Sequence, residues 1–203
     1  MNFYISREGK TQEMERRHLQ ETDRSYKVFL YIFYVSAFIM SAIAIYGGVA
    51  MYIEWQEKGT YVMGEVLNTT VIPFENFARL STWLFFSTII SWYCVSRIGW
   101  KRTAGNKIPG VRMPLLQLML LGFAVICLYE VLWNFTVLNA HIAAGIIDGK
   151  VPDIDRLSIA YPDEDRPWNL IFATKIFLSG FLISAHAFYL STRPRKSLEE
   201  LDT

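Results

Sequence analysis

VFLYIFYVSAFIMSAIAIYGGVAMYI, residues 28–53, runs for 26 residues without a charged side chain. About 20 apolar residues at 1.5 Å rise each cross a hydrocarbon core of roughly 30 Å, so this stretch reads as a membrane-spanning helix. It follows about 27 polar residues and has no small-residue cleavage pattern behind it, and so it reads as a retained anchor.

Three more apolar runs follow. Leu80 to Ser96 lies between Arg79 and Arg97; its 17 residues are short for a span, and both arginines are expected to reach toward the headgroups and lengthen it. Met113 to Ile147 carries one charge, Glu130. As helix it would measure about 52 Å, so part of it is expected to project beyond the bilayer or lie in its interface. Trp168 to Thr192 also carries one charge, Lys175. The expected fold is therefore an all-α integral membrane protein, a four-transmembrane-helix bundle. Its spans are at about 28–53, 77–99, 114–143 and 169–192, between a cytoplasmic segment 1–27 and a cytoplasmic tail 193–203.

Composition agrees with that reading. Hydrophobic residues make up 52% of the 203, and the net charge of +1 hides a segregation of charge into short stretches between the apolar runs. Six Lys or Arg precede the first span, five occupy 97–112 and three the tail, against two in 54–79 and three in 144–167. Basic flanks are held back from translocation, so both chain ends are expected on the cytoplasmic side. Trp55, Trp100 and Trp168 fall at the expected helix ends, where an indole buries its ring and bonds at headgroup level. A cell membrane is the default location, and an organelle membrane of matching topology fits equally.

The connections carry weaker signals. The N-terminal segment mixes acids and bases at helical spacing and reads as a solvated helix at the membrane surface. Asn68-Thr69-Thr70 is an N-glycosylation pattern on the outer side. The second outer connection is acidic and proline-punctuated, with Asp153, Asp155, Asp163, Glu164 and Asp165. Helices in lipid associate through small residues that let backbones approach closely. Ala37, Ser41, Ala44 and Gly48 form such a stripe on the first span, and Gly180, Ser184, Ala187 and Ser191 form another on the fourth. Each fits a helix contact face, inside the bundle or against another subunit.

Charged groups at membrane depth call for a functional hypothesis. At 100° per residue Glu130, Asn134 and His141 share one face of the third span. Lys175, Ser179 and His186 share one face of the fourth. Lying about 20 Å and about 10 Å below the outer helix ends, Glu130 and Lys175 are expected to make contact, directly or relayed by Asn134 or water. A buried ion pair fixing helix packing is the first role this suggests, a proton or ion relay the second, and contact with another subunit or a substrate the third.

Other chemistry is thin. Cys94 and Cys127 lie inside apolar runs and form no CxxC motif; they read as packing residues. His141 and His186 are separated in depth by on the order of 25 Å, too far for the two axial ligands of one haem. Phosphate loops, nucleophile elbows and dinucleotide fingerprints are missing, and no internal repeat is evident. No cofactor or metal is expected on this chain, nor a catalytic site of its own or a nucleic-acid partner. Its expected partners are membrane lipid and larger membrane-protein subunits. The leading expectation is a non-catalytic accessory subunit of a multi-subunit membrane complex, an oxidoreductase or monooxygenase assembly. The alternative is a small transporter component with an intramembrane Glu130–Asn134–Lys175 path.

Overall fold

The computed structural model describes residues 24–75, 77–98, 112–150, 152–159 and 167–192. The N-terminal segment up to residue 23, Trp100 with most of the 97–112 connection, Asp163 to Asp165 and the tail from 193 lie outside the described residues.

Four long helices dominate: α1 Arg24–Lys58, α3 Leu80–Ile98, α4 Arg112–Ile147 and α5 Leu170–Thr192, with a short α2 at Glu65–Thr69. Three of them, α1, α4 and α5, are long and apolar enough to cross a membrane. The fourth, α3, is 19 residues long and less apolar because six of its side chains are Ser or Thr. Several of these hydroxyls are bonded locally: Ser87 and Thr88 donate to the carbonyl of Leu84, and Ser96 to that of Tyr93. Such i−3 and i−4 bonds satisfy a polar side chain without a partner helix. Residues 78–79, expected as the start of this helix, are instead the strand β2.

The packing order is α1–α3–α5–α4, an open row of four helices. Its two inner members, α3 and α5, are the shorter helices, and each is flanked on two sides. The edge helices bury less. On α1 only Ser36 and Ile43 are fully covered, and on α4 only one stripe, Ala124, Cys127, Val131 and Asn134, at spacings of three and four. That spacing is the single face a helix offers to one neighbour.

The two halves of the chain repeat the same element order, which no similarity within the sequence suggests. Helix, short helical turn, strand, antiparallel strand and helix appear first as α1, α2, β1 Val71–Ile72, β2 Ala78–Arg79 and α3. They recur as α4, the 3-10 turn Ile154–Arg156, β3 Ser158–Ile159, β4 Trp168–Asn169 and α5. One hydrogen bond recurs as well. The N–H of the residue that opens the second helix, Leu80 or Leu170, donates to the residue before the first strand, Thr70 at 2.9 Å or Leu157 at 2.8 Å. The copies run in the same direction, so the repeat is parallel, not inverted.

The strands and short turns form a cap over one end of the row, and its two halves interlock. Met63 N–H donates to the Pro167 carbonyl and Asn169 N–H to the Met63 carbonyl, both at 2.9 Å. Beneath the cap, Ile43, Leu67, Leu80 and Phe172 form the apolar core. Gly64 opens α2 at φ +79°, and the Phe172 ring fills the space a β-carbon would need there. Only glycine meets both conditions without strain.

Candidate functional site

Polar side chains gather in two places, and only one of these was expected. Directly under the cap, Asn68 and Asn169 are wholly buried and Ser81 nearly so. Both carboxamides donate to the Asp155 carbonyl, Asn68 at 3.1 Å and Asn169 at 2.6 Å. Ser81 donates to Asn68 Oδ1 at 3.0 Å. Arg79 donates to the Asn68 carbonyl at 2.6 Å and pairs with the Asp155 carboxylate. Asn169 Oδ1 accepts the Phe172 N–H at 3.1 Å, which makes it the N-cap of α5. The knot therefore joins the first connection, α3, the second connection and α5.

Lys175 belongs to this knot. Its ammonium donates to Ser81 Oγ at 2.8 Å and Thr82 Oγ1 at 2.9 Å. The shared face of Lys175, Ser179 and His186 thus points at α3, and His186 Nδ1 accepts from Trp92 Nε1 at 3.0 Å. Both contacts join residues about one fixed interval apart, as two parallel helices require. Neutral His186 therefore carries its proton on Nε2.

The expected Glu130–Lys175 pairing is not formed. Two contacts set the antiparallel register of α4 on α5. A β-carbon on Gly180 would sit 2.9 Å from Cys127 Sγ, and Gln117 Nε2 donates to the Ser191 carbonyl at 3.0 Å. Continued along the helices, this register puts Glu130 level with Phe177 and Lys175 level with Leu132. The charges are closer in depth than the sequence implied, because the surplus length of α4 extends past the start of α5. They are separated around the helix instead: Lys175 projects toward α3, with α5 itself between it and Glu130.

The second polar place is the outward face of α4. Tyr129, Glu130, Trp133, Val137 and His141, with Ser158 and Ile159 of β3 above them, line a cleft of about 500 Å³. Glu130 is half-buried and His141 exposed. Among the described residues Glu130 forms no ion pair. Asn134, one turn nearer the cap, is 1% exposed, and neither of its side-chain polar atoms has a hydrogen-bond partner. The register places it level with Ala173 in the α4–α5 seam. An orphaned buried polar atom costs about 1–3 kcal/mol.

The two small-residue stripes separate. On α5, Gly180 meets Cys127, Ser184 is buried, and the Ser191 carbonyl accepts from Gln117, so this stripe faces α4 inside the chain. On α1, Ser41, Ala44 and Gly48 are exposed, and Ala37 is half-buried. A β-carbon on Gly48 would meet nothing within 4 Å. The α1 face that packs on α3 is the one carrying Ser36, whose hydroxyl bonds Ser91 at 2.8 Å.

Two further sequence features find their place in the cap. Asn68 of the glycosylation pattern is buried and bonded at the centre of the knot. Arg79 turns into the cap toward Asp155. Among the described residues no cluster of three His, Cys, Asp or Glu is placed to hold a metal. Of the knot, sequence carried one local signal: an Asn directly before the apolar helix α5, which is the N-cap pattern. No known family, curated protein or solved structure matches this chain.

Proposed function

We propose that this chain is a non-catalytic membrane subunit of a larger assembly, its four helices all within the bilayer, both termini cytoplasmic and the cap on the outer side. The observation that carries the reading is the open row whose edge α1 turns Ser41, Ala44 and Gly48 outward. Lipid tails gain nothing from small residues, whereas a neighbouring helix gains close backbone approach. The Lys and Arg distribution supports the orientation. Polar α3, the one of the four long helices that is not by itself apolar enough to span, is flanked by α1 and α5, which suits a span shielded from lipid.

Purification from native membranes in mild detergent tests the reading. The expected result is this chain at fixed stoichiometry with larger subunits; a solitary chain from the same membranes contradicts it. The oxidoreductase or monooxygenase class is tested on the same sample by its absorption spectrum, where haem, flavin or copper bands carried by the partners are expected.

A transport role is the second reading, and the buried, unbonded Asn134 beside Glu130 favours it. On that reading Glu130→Gln abolishes transport and leaves the assembly intact. Loss of assembly with this substitution favours the subunit reading.

A further inference from the structure

The polar face of α4 is incomplete in a way that specifies its complement. Glu130 lies level with Phe177, seven residues into α5, which is about 10 Å below the start of that helix. A carboxylate at this depth is normally paired, yet among the described residues it has no cationic partner. Asn134, its i+4 neighbour, is buried in the α4–α5 seam and does not line the cleft. The carboxylate of Glu130 is therefore the acceptor that the cleft presents.

The shape of the face indicates how a donor arrives. Glu130, Trp133, Val137 and His141 follow one another at spacings of three and four, the stripe on which a second helix packs ridge into groove. Tyr129 and Trp133, 60% and 53% exposed, wall the cleft beside Glu130. Aromatic faces beside a carboxylate favour a cation.

From this charge complementarity we infer that the α4 cleft receives a transmembrane helix of another subunit, whose lysine or arginine lies opposite Glu130 and donates to it. Lysine and arginine offer three and five N–H donors and no acceptor, which matches an ionised carboxylate, a group that only accepts. A lipid amine is disfavoured by depth, because headgroups sit near the start of α5 and Glu130 lies well below it. Lys175 is excluded because its ammonium is already held by Ser81 and Thr82 on the α3 side. The inference rests on the subunit reading and names the chemistry of the partner.

Its test combines carboxyl labelling with cross-linking on the full chain. Dicyclohexylcarbodiimide couples to carboxyl groups that it can reach from lipid, and a carboxylate covered by a partner helix is withheld from it. Glu130 should be labelled less in native membranes than in the chain purified alone. A photoreactive phenylalanine analogue in place of Val137 should cross-link to a partner helix that has Lys or Arg within one turn of the adduct. Changing that basic residue to Gln should restore labelling of Glu130. Equal labelling in both samples, a cross-linked helix without a basic residue, or adducts to lipid alone would overturn the inference while a fixed-stoichiometry complex still stands. If no partner copurifies, the subunit reading itself falls.

Discussion

The knot under the cap and the cleft on α4 lie at neighbouring levels, and each holds one charged residue of a helix long and apolar enough to cross a membrane. In the knot, Lys175 meets two hydroxyls, and Asn68 and Asn169 each bond through both the amide nitrogen and the oxygen. In the cleft, Glu130 has no cationic partner among the described residues, and beside it in the seam both the amide nitrogen and the oxygen of Asn134 are unbonded. A polar network that closes on itself holds a fold together, since each buried group without a partner is costly. One that remains open on an edge helix is a binding surface in waiting, and its cost in the free chain is recovered when a partner supplies the missing donor.

Mutations at the two places should therefore differ in what they damage. Asn68→Ala removes the bonds from Ser81 and to the Asp155 carbonyl inside a dry site. It should lower the stability of the chain by about 3 kcal/mol in a detergent unfolding titration. Gly180→Leu drives a side chain into Cys127 and should cost about 2 kcal/mol by overpacking the α4–α5 seam. The same change at Gly48 meets open space, so it should leave unfolding unaltered and reduce copurification of partners. Asn134→Val removes two unbonded atoms and should stabilise the isolated chain by about 1 kcal/mol. Glu130→Gln should change the isolated chain by less than about 0.5 kcal/mol, the usual range for a position without structural partners. A large loss of stability there would erase the contrast between the two places.

What was legible in the sequence is the part written in local pattern. The charge-free run 28–53 and its three successors mark the four long helices, because hydrophobic length is a property of consecutive residues. The small-residue stripes were legible as contact faces, but stripes on α1 and α5 look alike until packing turns one inward and the other out. The knot was not legible. Asn68 and Asp155 stand 87 residues apart, and Asn, Ser and Asp in loops are ordinary until a fold brings them together. The Glu130–Lys175 pairing misled for a related reason: depth can be counted along a helix from its end, whereas the direction a side chain faces depends on which neighbour occupies which side. The duplicated element order escaped because the halves share hydrogen bonds such as Leu80 to Thr70 and Leu170 to Leu157, and backbone bonds leave no trace in residue identity.

The most direct measurement is native mass spectrometry of the chain released from lipid nanodiscs, wild type against Glu130→Gln. The account predicts a wild-type chain carrying its partner subunit, and a variant that emerges folded but alone. Identical assemblies from both, or a variant recovered only as unfolded chain, would contradict the division between an inward knot that holds the fold and an outward face that holds a partner.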